Sequence, residues 1–194
     1  LIRGAEITRE TPPGHFNAIF LKDIDPLDTE DFVEVIKRAN EQGAFVFWNH
    51  HEWKGPELGQ WMEVHTQLFE QQWLHGMEVA NGSSYYPQAH QWCLDRGLTL
   101  IGTSDIHGPD LMEQMTSDQH RTITLVFAEE RTLDSLHEAL RAGRTAVWID
   151  QRIIGRREIL EPLFAAFFQV AEPHLRSGNA VWTTVKNNSA MDIH

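Results

Sequence analysis

Apolar runs alternate with segments of helical period along most of the chain. Phe32, Val35, Ile36 and Ala39 have the i, i+3, i+4, i+7 spacing of one buried helix face. Residues 44–48 are apolar throughout, as is typical of a strand that is covered on both faces. This alternation indicates strand–helix units around a largely parallel sheet, so the sequence predicts an α/β fold.

The same pattern continues to about residue 155 and then changes. We predict strands at residues 1–7, 17–21, 44–48, 77–79, 98–102, 123–127 and 145–149, and helices at residues 32–39, 87–97 and 133–140. The apolar stretch 159–168 predicts a buried helix, and the turn-rich tail 171–194 predicts a small β appendage. We therefore divide the chain into a main domain, residues 1–155, and a connecting helix with its appendage, residues 156–194.

Charge and cysteine content narrow the classes of function. A formal net charge of −12 argues against a sequence-independent nucleic-acid binder, because such proteins need a basic surface that displaces phosphate counterions. Cys93 is the only cysteine, so a bound metal would need ligands from His, Asp and Glu. The sequence has no apolar run long enough for a membrane span and no visible signal segment.

Polar side chains that suit metal ions follow a predicted buried strand. Asp105 and His107 come after residues 98–102, and residues i and i+2 of an extended segment point the same way. Carboxylate oxygen and imidazole nitrogen are suitable ligands for zinc, manganese or iron. The alternative is that Asp105 caps the next helix and His107 is a surface loop residue.

Two further strand ends carry similar groups. Glu6 ends the first strand and His15 precedes the second, and each could equally be solvated or hydrogen-bonded. His50 follows the wholly apolar strand 44–48, where a desolvated imidazole needs either a metal ion or a hydrogen-bond partner.

Other residues near these strand ends have two interpretations each. Arg9 could bind a phosphate bidentately or lie on the surface. Glu78 and Asn81 could support metal ligands, while helix capping is the alternative for Asn81. Tryptophans near the site could wall a substrate cleft or simply pack in the core; these are Trp48, Trp53 and Trp61.

Taken in order, four short motifs resemble one protein family. GAEIT at residues 4–8, GH at 14–15, NH at 49–50 and GTSDIH at 102–107 are similar to the polymerase and histidinol phosphatase (PHP) superfamily, in particular its histidinol-phosphatase-like branch. The resemblance covers roughly residues 1–150. It implies a distorted, TIM-like (β/α)7 barrel. Proteins of this family hold up to three divalent metal ions and hydrolyse phosphate esters.

The resemblance also assigns roles. Glu6 is similar to the family's bridging carboxylate, His15 and His50 to the other ligands of one metal, Asp105 to a ligand of the neighbouring metal and His107 to a ligand of the third. Family members carry an HxH motif and a further histidine before the bridging glutamate, and we expect this N-terminal part to precede Leu1.

One departure falls beside a proposed ligand. His51 stands where the family usually has proline. It is either a substitution without consequence or an extra donor to the substrate.

The function that the resemblance implies is hydrolysis of a small phosphomonoester by a metal-bound water, so that no side-chain nucleophile is needed. A phosphodiesterase with the same metals and a catalytically incomplete binding module are the alternatives. An amidohydrolase-like C–N hydrolase would often need a lysine that bridges metals, and no lysine ends a predicted strand. Family analogy favours an exported bacterial protein, and nothing in the sequence indicates the oligomeric state.

Overall fold

The computed structural model describes residues 1–108 and 120–189, which form a mixed α/β fold. The helices are α1 (Phe32–Glu41), α2 (Glu63–Glu70), α3 (Pro87–Arg96), α4 (Leu133–Arg141) and α5 (Arg157–Phe167). The strands are β1 (Gly4–Ile7), β2 (Phe16–Ile19), β3 (Phe45–Trp48), β4 (Gly76–Asn81), β5 (Ser84–Tyr85), β6 (Thr99–Thr103), β7 (Ile123–Val126), β8 (Thr145–Ile149), β9 (Arg152–Gly155), β10 (Phe168–Val170), β11 (Leu175–Ser177), β12 (Ala180–Trp182) and β13 (Val185–Asn187). Within these residues, no helix combines the length and apolarity that crossing a membrane requires.

The first sheet is parallel only at its centre. β3 and β6 both pair with β4 in parallel, whereas β1 pairs with β2 and β2 with β3 in antiparallel fashion. The expectation of a largely parallel sheet is therefore wrong for its first strands. The connection between β1 and β2, residues 8–15, is too short for the crossover that two parallel neighbours would need.

The remaining strands of the main domain form a second, antiparallel sheet in the order β7-β8-β9. Threonine hydroxyls join this sheet to β6 where no backbone ladder does. The hydroxyl of Thr124 accepts a hydrogen bond from the Gly102 amide at 2.9 Å and donates to the Gly102 carbonyl at 2.8 Å. Thr145 donates to the Leu100 carbonyl at 2.8 Å. Backbone pairing among the described strands does not close the two sheets into a barrel.

The core lies between the central strands and the helices. Val35, Ile36 and Ala39 of α1 are buried, which confirms the predicted helix face. All four residues of β3 are buried, as the apolar run 44–48 predicted. The predicted helices around α3 and α4 are confirmed as well, whereas α2 and β9 were not predicted.

The C-terminal elements differ from the prediction in one respect. α5 occupies the predicted stretch, but none of its residues is buried, and Phe164 is 62% exposed. The expectation of a buried helix is wrong because an apolar stretch predicts a helix without showing which element covers it. α5 contacts β8, β9 and β10. In the described part of the tail, β10 pairs with β13 and β11 with β12.

One buried histidine links α2 to the loop before β2. The His65 ring stacks on Trp48 with 3.9 Å between ring centroids. Its Nδ1 accepts a hydrogen bond from the Met62 amide, and its Nε2 donates to the Pro13 carbonyl, both at 2.9 Å. Burial lowers the pKa of His65 from 6.5 to about 4, so the folded chain holds this imidazole neutral.

We predict that His65 makes the folded chain sensitive to acid. Between pH 6.5 and about 4 the unfolded state binds a proton at His65 that the folded state does not bind, so stability falls as the pH falls through this range. In the variant His65→Gln, whose amide can accept and donate but does not titrate, the urea midpoint should depend less on pH. Urea unfolding of both proteins from pH 7.5 to 4 measures this; parallel curves would contradict the prediction.

Candidate metal centre

Glu6, His15 and His50 meet at one edge of the first sheet. Glu6 lies near the end of β1, His15 immediately precedes β2 and His50 follows β3. One ligand atom of each side chain lies within 4.8 Å of the others. The Nδ1 atom of His15 is 2.9 Å from Oε1 of Glu6, and the rings of His15 and His50 lie 5.0 Å apart. The structure thus brings together the three residues that the sequence predicted for one metal.

The backbone around His15 explains this convergence. The Asn49 amide donates to the His15 carbonyl at 2.9 Å, which places the residue before β2 beside the end of β3. Gly14 has a φ of +96°, and a Cβ atom there would lie 2.9 Å from Nε1 of Trp48. Only glycine accommodates both the left-handed backbone and this close approach. Gly14 therefore helps to set the position of the His15 backbone.

The donor set at this edge fits a divalent metal ion. The Nδ1 atom of His50 is buried and has no hydrogen-bond partner among the residues that the structure describes. Burial lowers the pKa of His50, which favours the neutral imidazole that metals bind. Two imidazoles and a carboxylate are a donor combination that suits zinc, manganese or iron. A metal at this edge would take one imidazole nitrogen from each histidine and one oxygen from Glu6.

Asp105 and His107 line the same cavity, although they lie outside the three-residue cluster. The cavity measures about 410 Å³ and is lined by Glu6, Thr8, His15, His50, Trp53, Asn81, Tyr86, Asp105 and His107. Asp105 adopts a φ of +49°, a left-handed conformation that aspartate tolerates better than most residues. The Nδ1 atom of His107 donates to the Asp105 carbonyl at 2.8 Å, which leaves its Nε2 as an acceptor. The helix that Asp105 would cap in the alternative interpretation lies outside the described residues.

The two other candidates, Arg9 and His51, contact residues of this cavity but do not line it. The Arg9 guanidinium donates to the carbonyls of Thr8 at 2.8 Å and Thr29 at 2.7 Å. The His51 ring is fully buried, with the rings of Tyr86 and Trp92 at 5.1 and 5.3 Å. Burial lowers the pKa of His51 to about 4. Neither side chain lines the cavity, and their roles stay predictions.

Some residues of the cavity were not predicted. Thr8 lies two positions after Glu6, and the same i, i+2 rule that was applied to Asp105 and His107 would have indicated it. Tyr86 follows a two-residue strand and carries no comparable signal. Of the three tryptophans considered, Trp53 lines the cavity, whereas Trp48 lies in the core and Trp61 packs against it.

Glu78 is a buried carboxyl group beside this site. It lies on β4, and only 1% of it is exposed. Burial raises its pKa to about 7, and hydrogen bonds from Thr103, His50 and Asn81 oppose that rise. One of these hydrogen bonds comes from the backbone amide of His50, so the Glu78 side chain directly contacts a candidate metal ligand.

Fold and site together define a metal-binding α/β protein. No family model matches the chain, and no curated protein matches it. Among solved structures, the chain is similar to a two-domain protein from Bacteroides vulgatus that contains a predicted PHP-like metal-dependent phosphoesterase. The identity is 44% and the TM-score 0.88, over 98% of this chain and 56% of that one, so this chain spans about half of that protein's length. The match confirms the resemblance to the PHP superfamily that the sequence predicted.

We predict that Mn²⁺ or Zn²⁺ stabilises the chelator-treated protein through this cluster. A ligand that binds the folded state alone, at about 100 times its Kd, adds about 2.7 kcal/mol to the free energy of unfolding. The thermal midpoint should therefore rise with added metal in the wild type and rise far less in His15→Ala. His174→Ala, which removes an exposed histidine of the tail, is the matched control and should respond like the wild type. A wild-type midpoint that metal leaves unchanged would contradict the prediction.

Proposed function

We propose that the chain hydrolyses a small phosphomonoester at a multinuclear metal site on this face of the fold. The observation that carries the proposal is the Glu6, His15 and His50 cluster, which opens into a cavity that Asp105 and His107 also line. The solved structure to which the chain is similar is described as containing a predicted PHP-like metal-dependent phosphoesterase, and this supports the same chemical class.

The ligands and the cavity have distinct tasks in this proposal. Divalent cations, up to three and drawn from zinc, manganese or iron, would polarise the phosphoryl oxygens and lower the pKa of an attacking water when bound. Glu6 and Asp105 supply carboxylate ligands, and His15, His50 and His107 supply imidazole nitrogens. Thr8 and Asn81 line the cavity with groups that can hydrogen-bond a substrate. Trp53 and Tyr86 add aromatic surface that limits access of water.

Size and charge favour a compact substrate. A cavity of about 410 Å³ lies at the lower end of the range typical of small-molecule sites. The formal charge of −12 opposes accumulation of a polyanion, so the attraction for a phosphate has to be local. A small phosphorylated molecule meets both conditions, whereas DNA or RNA meets neither.

We extend the proposal to the organisation of the chain. Residues 1–155 correspond to a PHP-type domain, whose form in that superfamily is the distorted (β/α)7 barrel, and residues 156–194 to a connecting helix and β appendage. Two observations support this division: α5 begins directly after β9, and the described strands β10 to β13 pair only with one another. Membership of the histidinol-phosphatase-like branch and export from a bacterial cell stay predictions from the resemblance.

We predict that Asp105→Ala costs far more activity than stability. A helix cap contributes about 1 kcal/mol to folding and nothing to turnover, whereas loss of a metal ligand should lower turnover more than about 100-fold. Phosphatase turnover with metal present and the thermal midpoint with metal removed separate the two roles. Asp95→Ala, at an exposed position of α3, is the control. An active Asp105 variant with a lowered midpoint would show that this residue is a cap.

We also predict that small phosphomonoesters are the preferred substrates, by about tenfold or more in kcat/KM, a difference of about 1.4 kcal/mol in transition-state binding. The comparison uses aryl phosphates, sugar phosphates, histidinol phosphate, a bis-aryl phosphodiester and DNA at matched ionic strength. Faster turnover of the diester would identify a phosphodiesterase instead. Inactivity of the metal-loaded protein on every substrate would favour the binding module.

A further inference from the structure

One carboxyl group joins the ends of the three parallel strands. Oε2 of Glu78 on β4 accepts hydrogen bonds from the His50 amide at 2.7 Å and from the Asn81 side-chain amide at 3.0 Å. Oε1 accepts from the Thr103 hydroxyl at 2.7 Å. The donors thus come from the residues that follow β3 and from the last residues of β4 and β6.

These bonds replace ladder pairing where the sheet ends. The β3–β4 ladder stops at the pair Trp48 and Met77, so no strand neighbour receives the His50 amide. A buried amide that is left without an acceptor costs about 1–3 kcal/mol, and Glu78 removes this cost. On the other side, the β4–β6 ladder stops at Asn81 and Thr103, and the side-chain amide of Asn81 also donates to the Thr103 hydroxyl at 3.2 Å.

The two segments that Glu78 holds carry candidate ligands on either side of the cavity. His50 receives the bond through its own backbone, and Asp105 follows Thr103 by two residues. The loop at Asp105 has a left-handed backbone and includes no regular element up to residue 108, so its position depends on how its start is anchored. Both carboxyl oxygens of Glu78 already accept hydrogen bonds, so we do not count Glu78 among the metal ligands.

We propose that Glu78 is a positioning residue, whose hydrogen bonds to the ends of β3 and β6 hold His50 and Asp105 facing one cavity. The inference rests on the metal site of the proposed function. In this inference Glu78 acts through its hydrogen bonds and not through its charge. Substitutions can separate the two, because one variant can remove the charge and keep the bonds while another removes both. In Glu78→Gln, the amide oxygen can still accept from His50 and Asn81, while the amide nitrogen can donate to the Thr103 hydroxyl. In Glu78→Ala, all three bonds are lost.

The test is calorimetric titration of the chelator-treated full chain with Mn²⁺, together with the thermal midpoint of the metal-free protein. We expect Glu78→Ala to bind Mn²⁺ about 10–100 times more weakly than the wild type, as is typical when a partner of a metal ligand is removed. Glu78→Gln should bind within about threefold of the wild type. Thr103→Val removes the bond to Glu78 and the bond from Asn81 but keeps the carboxyl group, and it should give an intermediate loss.

Val79→Ala is the matched control for a loss of general stability. Val79 is the next residue of β4 and is fully buried in the core. This variant should lower the midpoint and leave the affinity for Mn²⁺ within about twofold of the wild type. If Glu78→Ala binds as the wild type does, or if Glu78→Gln binds as weakly as Glu78→Ala, Glu78 does not act by positioning. If the wild type itself binds no Mn²⁺ or Zn²⁺, the proposed metal site fails instead.

Discussion

The parallel pairing of β4 with both β3 and β6 determines where the chemistry of this chain lies. Parallel strands end at one edge of a sheet, and here the residues at or just beyond that edge include His50, Asn81 and Asp105. β1 and β2 add Glu6 and His15 at the same edge, because two antiparallel pairings in succession bring the end of β1 beside the end of β3. The cavity thus forms where it does because of strand direction. Each polar side chain that lines it needs a hydrogen-bond partner or a metal ion.

Much of this arrangement could be predicted from the sequence, for local reasons. Apolar runs indicated the buried strands, and polar residues directly after them indicated the candidate ligands. Strand direction could not be predicted from these runs, because a buried strand is apolar in either orientation; the antiparallel β7-β8-β9 sheet was missed for this reason. The sequence also does not show whether another element packs over an apolar helix, as the exposed helix α5 illustrates.

Adjacent histidines show the limit of the sequence most clearly. His50 and His51 have the same chemistry and follow the same strand, yet His50 lines the cavity while His51 lies among Tyr86 and Trp92. Which of two neighbours faces a site depends on the backbone at the strand end, and the Glu78 bond to the His50 amide helps to set that backbone. Spacing alone could name both residues but could not separate them.

Electrostatics connects the cavity to the charge of the whole chain. Among the described residues that line it, Glu6 and Asp105 are acidic and none is lysine or arginine. Arg9 and Lys54 are the cations adjacent in sequence to residues that line the cavity. The Arg9 guanidinium is engaged by two backbone carbonyls, and Lys54 pairs with Glu10. Burial favours the neutral form of His50, so this imidazole does not offset the carboxylates at neutral pH. In a chain with a formal charge of −12, two carboxylates facing one cavity repel each other and any phosphate that enters. Divalent cations held by these ligands would remove both repulsions, which is why the electrostatics of the site supports metal-dependent chemistry on an anionic substrate.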